Sequence, residues 1–447
     1  MKYEALRFED SPTRFAAAFL ASSLRPGAGG SVGPLRHRTD IDPPALPGPD
    51  WVHVTPRLSG ICGSDLAALD GRSSRWFEPV VSLPFVPGHE VVADHEGRRV
   101  VLEPVLGCTA RGTNPPCRPC SEGRTGNCER LEHGCVSPGM QTGFCEDTGG
   151  GWSTLMAAHP SQLHTVPDDL DDEAAVMVEP TACALHGALA AEVGRDETAA
   201  VLGGGTMGLA AIAALARWSP PRRLLVVARH PHQRRLATGL ASGTEVTVVS
   251  DGEELRAARR ITGSMLTGSG QHQRVAGGVD VTIDCVGSGE SITSALALTR
   301  PGGRVVLIGM PSRSTLDLTP LWQREISVRG AYTYGTETLE GESVRTFELS
   351  MELVAAAGLG ALVSAHYPLR RATDATSHAA RAGSRGATKI CFDMRDALDT
   401  EGRPCAASTN TDRVRVSSCP WTARLPRCSC TTASSSASGV SRRTDHG

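Results

Sequence analysis

No apolar run in this 447-residue sequence approaches the roughly 20 residues that a membrane-spanning helix requires. The longest N-terminal candidate, FAAAFLASSL at 15–24, is far shorter. The opening MKYEALRFED mixes both charge signs and has no basic stretch leading into an apolar core, so no secretory signal is read there. A cytoplasmic setting is therefore expected, one in which thiols stay reduced. Neither charge sign is in excess: 45 Lys and Arg against 48 Asp and Glu leave a net charge of -3. That removes the electrostatic case for nucleic acid or membrane partners. Aromatic residues are only 4% of the chain, which weighs against a base-stacking surface. A small-molecule partner is expected instead.

The chain is rich in turn formers, with 49 Gly and 29 Pro, and is long enough for two or three domains. Residues 51 to 165 read as short β-like runs, WVHVTP and EVVADHEGRRVVLEPV, broken by Gly and Pro. The pattern changes at VPDDLDDEAAVMVEPTACALHGALA, where acidic residues open a stretch with helical spacing, so a helix is expected there. From 198 onward TAAVL, RLLVVAR, EVTVVS, VDVTIDCVG and GGRVVLIGM alternate with helical or polar segments. Near-continuous apolar strands between helices predict a parallel sheet covered on both faces. From about Asp396 the sequence loses both periods and turns to Ser, Thr, Arg and Cys, so residues 396–447 read as a disordered tail.

VLGGGTMGLAAIAALARW follows one predicted strand and opens a helix, with Gly203, Gly205 and Gly208 in G-x-G-x-x-G spacing around Thr206 and Met207. The first glycine permits the tight turn, the second lets the backbone approach a pyrophosphate, and the third allows close helix–strand packing. A dinucleotide is expected at this turn. About 20 residues on, where NAD sites carry an acidic residue for the ribose, this chain has Arg229, then His230, Arg234 and Arg235. A guanidinium can bind a 2'-phosphate that a carboxylate would repel, so NADP is expected ahead of NAD. Arg234 and Arg235 serve nearly as well as charges on a solvated helix face.

GCTARGTNPPCRPCSEGRTGNC at 107–128 packs Cys108, Cys117, Cys120 and Cys128 into one turn-rich stretch. In a reducing compartment such a cluster suits a metal better than disulfides. Zinc fits four thiolates better than metals that prefer harder ligands do.

GICGSDLAALDG, PFVPGHEVV, the cysteine-rich stretch, VEPTACALHG and the glycine turn follow one another in this order. In that order the chain resembles the zinc-dependent medium-chain alcohol dehydrogenases, their polyol, sugar and threonine dehydrogenase branch, over roughly residues 1 to 395. The resemblance implies an α/β protein: a GroES-like, β-rich catalytic domain over 1–165 with a cysteine lobe at 107–130, a Rossmann doubly wound domain over 166–331, and a return to the catalytic domain over 332–395. It implies a homo-oligomer, dimer or tetramer.

By the same resemblance Cys62 and His89 match two catalytic zinc ligands, and Glu179 matches a glutamate that replaces a third cysteine ligand. Glu90 could ligate, alternate with Glu179 or hold a zinc-bound water. Three protein ligands leave a position for the substrate oxygen. Asp65 matches a carboxylate that orients a histidine ligand, and Ser64 the hydroxyl that passes the alcohol proton onward. The family often has a histidine three residues after that serine, but this chain has Ala67. In the lobe, Cys117, Cys120 and Cys128 match three ligands of the structural zinc, while the expected first position is Asn114. Cys108 could loop back to complete the set, with Cys135 and Cys145 as alternatives.

The expected activity is hydride transfer between a small secondary alcohol, polyol, sugar or amino alcohol and NADP or NAD. A non-catalytic, zinc-stabilised nucleotide-binding protein is the rival. It has no need of Cys62, Ser64, His89 and Glu179 together.

Overall fold

The Gly- and Pro-broken runs of the first 165 residues fold as short antiparallel strands. Val52–Gly60 pairs with Val91–His95, which pairs with Arg98–Leu102, and Leu163–Thr165 closes that edge. Between His95 and Arg98 the chain reverses in two residues, Glu96 (φ 50°) and Gly97 (φ 75°). Both sit in the left-handed region that the twist of a tight hairpin demands. On the other side of Val52–Gly60 lies Lys389–Asp393, then Val363–Tyr367 in parallel. The computed structural model describes residues 3–397 and 415–416, all within one compact unit, Met1–Ser417.

The second sheet is the one the alternation predicts. Six parallel strands run in the spatial order Glu245–Val249, Arg223–Val227, Thr198–Leu202, Val279–Asp284, Thr299–Leu307, Ser327–Gly330. In chain order this is 3-2-1-4-5-6, the doubly wound arrangement whose crevice opens where the order reverses. The five apolar runs named from the sequence are its first five strands. The sixth carries no such signal, because Ser327–Gly330 is an exposed edge.

The stretch read as one helix forms two, Asp172–Ala175 and Val178–Ala190, separated at Val176 and Met177. Asp171 caps the first by accepting from Ala174 N–H at 2.7 Å, which satisfies one of the free N–H groups of the first turn. Asp172 then ties this junction to the catalytic sheet, accepting from Arg57 Nε (3.0 Å), Arg99 Nη1 (3.3 Å) and Arg395 Nη1 (3.4 Å). Tyr334, Phe347, Leu353 and Val354 share one core with Leu185 and Leu209 of the nucleotide half and with Leu58, Val92 and Val101 of the catalytic sheet, and the first strand after residue 332 to rejoin that sheet is Val363–Tyr367.

FAAAFLASSL lies in a surface helix, Pro12–Leu24, inserted between the paired strands Tyr3–Phe8 and Leu35–Ile41. The turn that follows it is held by Asp70, which accepts from Gly27 N–H (2.9 Å) and Gly29 N–H (3.0 Å). Among the described residues no helix is long and apolar enough to cross a membrane. Of the segment 396–447 read as a disordered tail, Asp396 and Ala397 complete the short turn Arg395–Ala397, and Arg415–Val416 adds an antiparallel strand to the edge of Val363–Tyr367. The rest of that reading lies outside the described residues.

Candidate active site and metal centres

The strand Val52–Gly60 delivers the chain to Cys62, which caps the helix Gly63–Leu69. Asp65, in its first turn, accepts from Cys62 N–H through Oδ2 at 2.9 Å. The other oxygen, Oδ1, lies 3.5 Å from His89 Nδ1, and both side chains are buried. His89 reaches this place through Gly88, whose φ of +100° and contact with Trp152 and Ser59 leave no space for a Cβ. Burial pushes the His89 pKa down, but Asp65 and Cys62 outweigh it and hold it well above the usual value. The far nitrogen, Nε2, faces the Ser64 hydroxyl at 3.4 Å.

Donor atoms of Cys62, His89 and Glu90 all lie within 4.8 Å of one another. A thiolate, an imidazole and a carboxylate around one point form a borderline-soft donor set that suits zinc. Glu90 fits only because residue 60 is glycine: a Cβ there would sit 1.9 Å from Oε2. That oxygen is ion-paired with Lys389, which also donates to Ile61 O at 3.3 Å. Burial opposes the charge on Lys389, yet Glu90 and Cys62 raise its pKa above the ordinary lysine value.

Glu179 stands beside this trio but outside the group of mutually close donors. It accepts from Tyr334 OH at 3.1 Å, and the Cys183 thiol lies 3.6 Å from the same oxygen. Burial pushes its pKa up to about 7, with Glu90 adding to the rise and His89 opposing it. Lys389 and Tyr334 belong to no motif read from the sequence, and Cys183, inside VEPTACALHG, was given no role there. The one available signal was a lysine inside the apolar strand KICFD, where a charge requires a buried partner.

The cysteine lobe brings Cys108, Cys117, Cys120 and Cys128 within 4.8 Å of one another, all as free thiols. Cys108 Sγ is 3.7 Å from Cys128 Sγ and accepts from Cys117 N–H at 3.3 Å. Glu129 N–H points at Cys117 Sγ (3.5 Å) and Arg130 N–H at Cys128 Sγ (3.4 Å). Burial raises the Cys117 pKa, but the backbone N–H groups of Glu129 and Cys120, with the Cys120 and Cys108 thiols, bring it down to about 7. Four convergent sulfurs, three of them facing backbone N–H groups, match the chemistry of a closed tetrahedral zinc site. The two alternatives point elsewhere: Cys135 Sγ faces Ala110 O and Cys145 Sγ faces Ser137 O, each at 3.6 Å.

At the nucleotide turn Gly203 takes φ +103°, and a Cβ on Gly208 would lie 1.8 Å from Gly203 O. Gly205 caps the helix Thr206–Trp218 and faces open space, leaving the N–H groups of that helix start uncovered by a side chain there. Thr206 and Met207 form the first turn. Two residues past the second strand, the exposed Arg229 is held by Asp251 (Nε to Oδ2, 2.6 Å). Arg234 donates through Nη1 to Ala228 O (3.0 Å) and Arg229 O (2.9 Å), shaping the loop that presents Arg229.

Residues 48–168 match the alcohol dehydrogenase GroES-like domain, and residues 206–363 match the zinc-binding dehydrogenase domain. A sorbitol dehydrogenase of Arabidopsis thaliana is 32% identical over 312 residues, covering 66% of this chain and 77% of that protein. An L-idonate 5-dehydrogenase of Vitis vinifera is 30% identical with the same coverage. In fold, the chain is similar to 2R,3R-butanediol dehydrogenase from Bacillus subtilis (TM-score 0.62, 20% identity, 88% of this chain and 99% of that one). With both domains matched and relatives of 30% identity or more covered over most of their length, the chain belongs to the zinc-dependent medium-chain alcohol dehydrogenases, in their polyol dehydrogenase-like branch, as an oxidoreductase that works with zinc and a nicotinamide cofactor.

Proposed function

We propose that this chain oxidises the secondary hydroxyl of a small polyol or related alcohol, with NADP preferred over NAD, at a centre held by Cys62, His89 and Glu90. The observation that carries the reading is the convergence of those three donors, with Asp65 behind His89 and Glu179 standing just outside. Zinc, when bound, supplies a Lewis-acidic position for the substrate oxygen, and the nicotinamide accepts the hydride. Cys62 and His89 are fixed by the Asp65 carboxylate, which touches the backbone of one and the ring of the other. Ser64 Oγ, beside His89 Nε2, is placed to take the hydroxyl proton. Glu179, with a pKa near 7 and a Tyr334 hydrogen bond on Oε1, can hold a proton or release it near neutral pH. The relatives named for sorbitol and L-idonate support a polyhydroxylated substrate class.

Cofactor choice rests on Arg229. A charge-assisted bond contributes roughly 1.5–3 kcal/mol, and exposure keeps the net effect at the low end, or about tenfold in preference. Asp251 already holds the guanidinium, which orients it but also competes for it. Cofactor reduction across an alcohol panel with both nucleotides tests both proposals. Activity on polyols with higher kcat/KM for NADP is expected, and Arg229→Asp is expected to reverse the cofactor ratio. A wild type that favours NAD would reduce Arg229 to ordinary surface charge. Inactivity on the whole panel would refute the substrate class.

A further inference from the structure

The cysteine lobe meets the segment 333–336 along a seam closed by glycines. Between Cys120 and Cys128 of the four-sulfur set, the chain passes through Gly123 and Gly126. Gly123 N–H ties it back to Cys120 O (3.2 Å), and Cys128 N–H donates to Thr125 O (3.1 Å). A Cβ on Gly126 would sit 1.8 Å from Thr333 Oγ1, and one on Gly123 would sit 2.5 Å from Thr336 Oγ1. From the other side, a Cβ on Gly335 would sit 2.2 Å from Gly123 O. Gly126 and Gly335 are not among the residues of positive φ, so no left-handed turn demands glycine at either place. The close approach does.

The same segment carries a side chain into the catalytic centre. Thr333 takes φ +50°, a conformation costly for a β-branched residue, which persists only where its surroundings hold it. Its buried hydroxyl lies against Gly126 and has no hydrogen-bond partner among the described residues. The next residue, Tyr334, is buried, packs its ring on Phe347 at 5.0 Å and donates to Glu179 Oε1 at 3.1 Å. Gly335 then anchors the far side. Its N–H donates to Thr346 Oγ1 (3.1 Å), and its carbonyl accepts from Thr346 N–H (3.0 Å).

We infer that the cysteine lobe is a positioning element of the catalytic centre: Gly123 and Gly126 seat the segment 333–336 so that Tyr334 holds the Glu179 carboxylate in place. The path from the lobe sulfurs to Glu179 runs through the seam glycines, Thr333 and Tyr334. The inference rests on the four-cysteine lobe and on the catalytic reading of Glu179. A lobe that served stability alone would lower the melting temperature when disturbed and leave the turnover of the folded protein unchanged.

The test uses the full chain, with zinc counted per chain and amide exchange followed at Gly335 and Thr346. Alongside these, kcat and KM are measured on the alcohol that the cofactor-reduction panel turns over fastest. Cys117→Ser, expected to retain only the catalytic ion, should speed exchange at both amides at least about tenfold, because the segment opens locally. Gly126→Ala, which removes no metal ligand, should keep both ions. It should lower kcat about tenfold with KM little changed, the worth of one hydrogen bond to a charged group. That loss should vanish in two backgrounds: Tyr334→Phe, where the hydroxyl is already gone, and Thr333→Ala, which makes room for the added methyl. Unchanged exchange in Cys117→Ser, or an equal cost of Gly126→Ala with and without the Tyr334 hydroxyl, would overturn the inference. A wild type holding a single zinc would instead overturn the four-cysteine reading, and inactivity on the whole panel would overturn the catalytic reading of Glu179.

Discussion

The two metal centres are built on opposite plans. The lobe is local: its four sulfurs come from one stretch, with Cys108 and Cys128 only 20 residues apart, and backbone N–H groups around it tune the thiols. The catalytic centre is assembled from distant pieces. Cys62 arrives at the end of one strand, His89 and Glu90 precede another, Glu179 comes from a helix, and Lys389 reaches Ile61 across 328 residues. The lobe presents four like donors that close on themselves, which suits structure. The catalytic trio presents three unlike donors with a proton-sharing glutamate at its side, which suits chemistry.

The sharpest way to break this contrast is to remove one sulfur from each centre. Cys62→Ser should cost turnover about a thousandfold or more, since a Lewis-acid position is worth several kcal/mol, while the melting temperature barely moves. Substantial activity in that variant would mean that the two centres have been assigned the wrong way round. Lys389→Met probes what is special to an assembled site. It strands Glu90 as a buried charge and should destabilise the fold by about 3–5 kcal/mol in denaturant titration. A near-neutral result would show that Glu90 finds its compensation elsewhere. In the lobe, Cys108→Ala should release one zinc and lower thermal stability because metal binding there is coupled to folding, whereas Cys135→Ala and Cys145→Ala should keep both ions. Loss of zinc from only one of the latter two would redraw the lobe.

The smallest effect concerns the seam that assembly leaves behind. Glu173 sits between His366 (3.2 Å) and Arg395 (3.1 Å), and His366 first, then Arg395, hold its carboxyl down to about 2 despite burial. A depressed carboxylate stabilises the fold above its ordinary range, and that contribution disappears as pH falls from about 4.5 through about 2. Glu173→Gln should therefore cost about 1–2 kcal/mol near neutral pH, after allowance for its partial exposure, and nothing below about pH 2. A cost that persisted at low pH would trace to packing rather than charge.

What the sequence revealed follows the same division. The glycine turn, the five apolar strands and the three in-register lobe cysteines were legible because each is written in neighbouring residues. Cys108 was harder to place: spacing alone could not choose between it, Cys135 and Cys145, because the choice depends on how the loop folds back. The edge strand Ser327–Gly330 has no buried face and so no periodic signature. Lys389 and Tyr334 escaped entirely, since their roles come from contacts made across the whole chain and carry no local spacing. Between Glu90 and Glu179 the motifs were even-handed, and it is the geometry that sets Glu90 among the close donors and Glu179 outside them.

The strand carrying Lys389 also fixes an order of events. A ribosome releases residues from the N-terminus onward, so the lobe can gather its four sulfurs while most of the chain is still unmade. Glu90 has no such opportunity. Its partner is among the last described residues to emerge, and closing a loop of that span carries the entropy of a long search. Until then the pocket beside Cys62 holds an acid without its base. The lobe can therefore assemble from one early stretch, whereas the Glu90–Lys389 pair forms only after the strand Lys389–Asp393 has been made.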